Sequence, residues 1–213
     1  MNPNDEVQMD RFPVLTKNDL DEKQRALWDE LTLGPRGFYT GGPDAKQVPD
    51  LYNAWLQFPE FGQLMLKVAD TVRAQTELSG KHRELIVLTT SMLLNVRVEY
   101  DFHIPFARNE GLPDDLIEAI GKGEIPSFAN EDERIVYEAN VQLVRTGTLT
   151  GHTRREVLSI IGTRGLMQLI AVVGQYVIVS FTSNVAGVKL HDDFSADPQK
   201  LKDFYAGKTH PSE

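Results

Sequence analysis

No cysteine occurs among the 213 residues, which removes disulfides, thiolate metal ligands and thiol nucleophiles together. Positive charge is also scarce. The formal net charge is -9, and no cluster of Lys and Arg breaks the acidic background. A phosphate backbone or an anionic bilayer is held by concentrated positive charge. Neither nucleic acid nor a membrane is therefore expected as a partner, and a small molecule is. The opening MNPNDEVQMDRF lacks the basic start and apolar core of a secretory signal, so a cytoplasmic protein is expected. Strand-like alternation of apolar and polar residues is missing too. Val172 to Phe181 is rich in β-formers but too long and uniform for a half-buried strand. The fold class expected is all-α.

What is present is a series of helix signals. Thr16 offers an N-cap for a helix carrying Leu20, Leu27 and Leu31 on one face, with Gly34 as its stop. The following GPRGFYTGGPDAKQVP is a Gly- and Pro-rich loop. Its Phe38 and Tyr39 either cover a pocket or pin the loop to the surface. Helices are expected from Asp50 to Phe58 and from Glu60 to about Thr76, with Pro59 suited to the first turn of the second. Ser79 caps a further helix holding the apolar run Leu85 to Leu94, and Asn95 breaks it. Pro105, inside the next helix, collides with the carbonyl of Asp101 and is expected to kink the helix just beyond His103. Gly111 ends that helix, Pro113 starts a short one through Ile120 that Gly121 closes, Asn130 and Glu133 spell a capping box, and Thr150 or Thr153 opens a helix through Ile161. From Gly165 to Val188 no residue is charged. That length spans a bilayer, but Gln168, Gln175, Ser180, Thr182, Ser183 and Asn184 suit a helix in the core or at a subunit interface better. A homo-oligomer (dimer, trimer or hexamer) is expected on that ground. LSGKHR (Leu78 to Arg83) echoes LTGHTR (Leu149 to Arg154), hinting at duplicated helical hairpins. The chain divides into an arm (1–15), one helical domain (16–190) and a tail (191–213).

Chemistry concentrates between His82 and Gly111. Glu99 and His103 stand one helical turn apart, about 5–6 Å at Cβ. Glu84 begins an apolar run, where a buried carboxylate needs a partner or a function, and His103 is the candidate partner. An imidazole titrates near neutral pH and suits acid–base work. Two carboxylates meeting one histidine predict that one of them titrates abnormally high. Tyr100, Tyr176 and Arg108 are candidate substrate-binding residues; Arg83, Arg97 and Arg164 are further cations that spacing does not rank. Three readings stay open: an acid–base site, a structural ion pair, and a carboxylate-rich metal site built on Glu84, Glu99 and His103. His82, His152, His191 and His210 fall away from the cluster or lie in the tail.

The motif Arg83-Glu84, then Glu99-Tyr100, then His103, Ala107 and Gly111 resembles the signature of the carboxymuconolactone decarboxylase and alkylhydroperoxidase D-like superfamily. The likeness runs more loosely from Thr16 to Val188, through Pro59–Phe61 and Gly174–Tyr176. It implies the alkylhydroperoxidase D-like helical fold, with Glu84 and His103 on the family's glutamate and histidine. Val96 and Glu99 stand where peroxidase members carry their two cysteines. Without a thiolate the peroxidase chemistry is not expected. The resemblance then implies the cysteine-free branch: a cofactor-independent, metal-free lyase acting on a small lactone or a cyclic or aromatic acid. The catalytic set expected is His103, Glu84 and Glu99, with Glu84 orienting the imidazole and Glu99 as a second acid/base or a holder of substrate. The alternatives are a metal-dependent enzyme, or a binding or assembly protein that has lost the family's activity.

Overall fold

Leu85, Ile86, Val87 and Leu88 are all fully buried, so the helix that carries them is apolar on every side and has to lie at the centre of a helical packing. In a computed structural model, which describes residues 12–74 and 77–189, that helix is α5 (Gly80–Leu93). The others are α1 (Glu22–Leu33), α2 (Gly37–Thr40), α3 (Asp50–Leu56), α4 (Pro59–Ala74), α6 (Arg97–Asn109), α7 (Asp114–Gly121), α8 (Glu131–Thr146) and α9 (Gly151–Ala186), with a 3-10 turn at Gly42–Asp44. No strand occurs among the described residues. α5 packs against α6, α7, α8 and α9. Asn140 of α8 ties it down by donating to the Ile86 carbonyl and accepting from Thr90 Oγ1, both at 3.0 Å.

Several helix ends form as their sequences predict. The Ser79 hydroxyl accepts from His82 N at 3.1 Å to start α5, and Asn95 takes a left-handed φ of 58° between α5 and α6. Thr150 caps α9 by accepting from Thr153 N, and Gly147 closes α8 at φ 72°. Ser79 and Thr150 share nearly the same backbone angles, so the LSGKHR and LTGHTR echo is, locally, one capping turn used twice.

Other ends differ. α1 is capped by Asp21, which forms a reciprocal capping box with Gln24, while Thr16 bonds Asp19 in a preceding turn. Asn130 does not cap the backbone of α8; its amide donates to the Glu133 carboxylate at 2.7 Å, because Glu133 is drawn into a buried pair with Lys81. α6 runs continuously through Pro105. The break instead falls in α9, where Gly162 has φ 66° and ψ -174°, a conformation that favours glycine.

α9 is long and apolar enough to cross a membrane by length and composition. It is not swallowed by the core: Leu169, Val172 and Tyr176 face inward, while Met167, Ile170, Ile178, Phe181 and Val185 form an exposed apolar stripe. Residues 1–11 of the arm and 190–213, with His191 and His210, lie outside the described residues.

Candidate functional site

The Ser79 cap and the Asn95 turn fix where α5 and α6 begin, and so where Glu84, Glu99 and His103 project. Glu84 and His103 meet in the interior: Nδ1 lies 2.7 Å from Glu84 Oε2, with the two side chains 0% and 3% exposed. A carboxylate only accepts, so Nδ1 carries the hydrogen and Nε2 is left as the working nitrogen. Nε2 sits 3.1 Å from the hydroxyl of Tyr176. That hydroxyl accepts from Arg73 Nη2 at 3.2 Å, and Arg73 Nη1 returns to Glu84 Oε1 at 3.5 Å. The four side chains form a closed ring of contacts, Glu84 to His103 to Tyr176 to Arg73 and back. Arg83 Nε donates to the same Glu84 oxygen at 3.3 Å, and the Phe106 ring lies under the Arg73 guanidinium at 5.7 Å.

Charge is divided unequally between the two glutamates. Burial pushes Glu84 up, but the charge and hydrogen bond of His103, with Arg73 and Arg83, outweigh it and hold the carboxyl at about 2. Burial likewise raises Glu99, and there the His103 charge and the Ser183 hydrogen bond offset it only in part. Ser183 Oγ donates to Glu99 Oε1 at 3.1 Å. Burial also pushes the Tyr176 phenol up to about 12, against the pull of Arg73, so the phenol keeps its proton and can donate it to Nε2.

The ring opens onto a cavity of about 450 Å³ between α2, α3, α4, α6 and α9. His103, Tyr176, Arg73 and Glu99 stand in its wall, and Phe38, Tyr39, Tyr52, Trp55, Phe102 and Phe106 make most of the rest aromatic. Glu84 sits behind His103 rather than in the wall. A concave apolar space with a few convergent polar groups is the form small-molecule sites take.

Residues 59–132 match the Carboxymuconolactone decarboxylase family, a stretch that runs from the start of α4 to the first turn of α8 and holds Arg73, Glu84, Glu99 and His103. The chain also superposes on the alkylhydroperoxidase AhpD core of an uncharacterized peroxidase-related protein from Ralstonia eutropha JMP134. That match has a TM-score of 0.69 and 14% identity, and covers 86% of this chain and 93% of the other. The match in sequence is confined to about a third of the chain, and the likeness to the solved structure is one of fold. No curated protein matches the chain by sequence.

Of the residues singled out in the sequence, the structure brings Glu84, His103 and Tyr176 into direct contact. Glu99 reaches the same cavity but bonds Ser183, so the two carboxylates do not share the imidazole. One does titrate high, through burial rather than through repulsion by its neighbour. Tyr100 and Arg108 are corrected: neither lines the cavity. The Tyr100 hydroxyl donates to the Ile117 carbonyl at 2.6 Å, pinning α6 to α7, and Arg108 is exposed and paired with Asp114 at 2.7 Å. Arg97 is likewise exposed and paired with Asp101. Among the described residues no group of three or more His, Asp or Glu side chains is arranged to hold a metal ion. Phe38 and Tyr39 do wall the cavity, with Tyr39 and Tyr52 hydroxyls 2.9 Å apart.

Sequence reasoning missed Arg73, Arg36 and Gln175. Arg36 is 4% exposed, donates to Asp70 at 2.6 Å and lines the cavity from within the Gly/Pro loop. Burial of an arginine in a loop has no signature in spacing. Val96 is buried at the N-cap of α6.

Proposed function

We propose that this protein is a cofactor-independent lyase that decarboxylates, or otherwise moves a proton on, a small lactone or a cyclic or aromatic acid. The observation that carries the reading is the buried imidazole of His103, held by Glu84 at Nδ1 and facing Tyr176 and an aromatic cavity through Nε2. In decarboxylation the bond between a ring carbon and its carboxylate breaks and carbon dioxide leaves. The electron pair passes into the conjugated lactone carbonyl as a dienolate, and one proton is then added at carbon. His103 Nε2, with the Tyr176 hydroxyl beside it, supplies that proton, and solvent restores it.

Glu84 is the positioning residue, fixing which ring nitrogen faces the cavity. A fixed donor in a dry site typically contributes 10²–10⁴ in rate, and the aromatic wall excludes bulk water. Arg73 and Arg36 supply positive charge at the wall for an acidic substrate. The test is incubation of γ-lactones that carry a ring carboxylate with the full chain in D2O, following carbon dioxide release and deuterium uptake by NMR. Wild type turns over at least one, and His103→Ala does not. A lactone that binds and stabilises both proteins equally, with turnover by neither, replaces this reading with that of a binding protein.

A further inference from the structure

Two polar side chains in the cavity wall are left out of the proton-transfer ring. Glu99 is 8% exposed. One of its oxygens accepts from Ser183, and the other has no hydrogen-bond partner among the described residues. Arg73 and Arg83 are directed at Glu84 and Arg36 at Asp70, and no ion pair reaches Glu99 among the described residues. Gln175, one position before Tyr176, is 7% exposed, lines the same cavity, and its Oε1 is buried without a partner. Buried polar atoms in folded proteins are nearly always satisfied. Gln175 Oε1 is such an orphan, and with the open oxygen of Glu99 on the same cavity wall it is explained by an occupant that engages both residues.

We propose that Glu99 and Gln175 are a recognition pair for a ring compound bearing a carbonyl and a hydroxyl, with Glu99 donating to the carbonyl oxygen and Gln175 accepting from the hydroxyl. The donor is the carboxyl O–H, which burial without a paired cation favours over the carboxylate. A turn of the Gln175 amide about its last torsion brings the oxygen to the ligand. This deepens the lyase reading of the same cavity and rests on it for its catalytic sense. The carbonyl oxygen held by Glu99 is the atom on which dienolate charge gathers, so a neutral donor there stabilises the intermediate without having repelled an acidic substrate.

Calorimetric titration of the full chain with 4-hydroxyacetophenone, 4-methoxyacetophenone and phenol tests the pair. The first compound is expected to saturate, and each of the others to bind about three- to tenfold more weakly, the worth of one hydrogen bond. Glu99→Gln keeps a neutral donor and keeps the affinity; Glu99→Ala loses that same factor; Gln175→Leu erases the difference between the hydroxy and methoxy compounds. Absence of saturation, equal affinity for the three probes, or a Glu99→Gln variant as weak as Glu99→Ala overturns the proposal. Lactone turnover without this probe pattern removes the recognition pair alone, and the pattern without any turnover removes the lyase reading alone.

Discussion

Arg73 donates to the Tyr176 hydroxyl at 3.2 Å, joining residues 103 positions apart in the chain. Through that contact α4 and α9 clamp the two ends of the Glu84–His103 pair, so the orientation of the imidazole depends on helices that carry neither of its immediate family residues. Arg73 only donates, so the Tyr176 hydroxyl accepts on that side and its own hydrogen is left to serve Nε2 or a ligand in the cavity.

Tyr176→Phe tests that relay. It deprives both Arg73 and His103 Nε2 of a partner, and the cost expected in urea unfolding is about 1–3 kcal/mol. Turnover of the lactone is expected to fall by about 10² or more in kcat, with KM changed little, because the hydroxyl serves the proton and not the binding of the ring.

Glu84→Gln removes the fully buried anion that Arg73 and Arg83 share. A loss of about 3–5 kcal/mol in unfolding free energy is expected, as when one partner of a buried ion pair is removed. The His103 ring resonances should shift in NMR spectra of the variant. An unchanged midpoint would mean that the pair contributes nothing to the fold.

Acid should act on the wild type through the same residue. The folded Glu84 carboxyl lies at about 2, below its ordinary 4.5, so its contribution is fully present above 4.5 and is lost as pH falls toward 2. The gap in melting temperature between wild type and Glu84→Gln is therefore expected to narrow steadily from pH 5 to pH 2, as read by differential scanning calorimetry.

Glu99 has the opposite sign. Its folded carboxyl is raised above 4.5 by burial, so its contribution is present below 4.5 and is lost as pH rises through the folded value. At pH 7 and above the carboxyl is a burden that glutamine does not carry. Glu99→Gln is expected to raise the melting temperature there by about 2–4 °C, the size of a 1 kcal/mol gain in a chain of this length, and to lose that advantage at pH 4.

Arg73→Lys separates charge from shape. An ammonium keeps the attraction to Glu84 but does not reach Glu84 and Tyr176 from two fixed nitrogens. Turnover is expected to fall about tenfold or more, with a smaller loss of stability than Glu84→Gln produces. Equal kinetics in Arg73→Lys and wild type would show that the clamp is not needed.

The sequence alone was enough to establish the helical class, most helix ends and the exclusion of thiol chemistry, because each rests on local rules, while the meeting of Glu84 with His103 was expected only because a carboxylate bordering an apolar run needs a partner. Apolar periodicity, caps, positive-φ turns and the one-turn reach of a helix act over a few residues. The break in the neutral helix, the partner of Glu99, the loss of Tyr100 and Arg108 to packing and surface pairing, and the presence of Arg73, Arg36 and Gln175 in the cavity were decided by tertiary structure. Each depends on which helix faces lie against one another, and a contact between residues 103 apart leaves no periodic trace in a chain read one turn at a time.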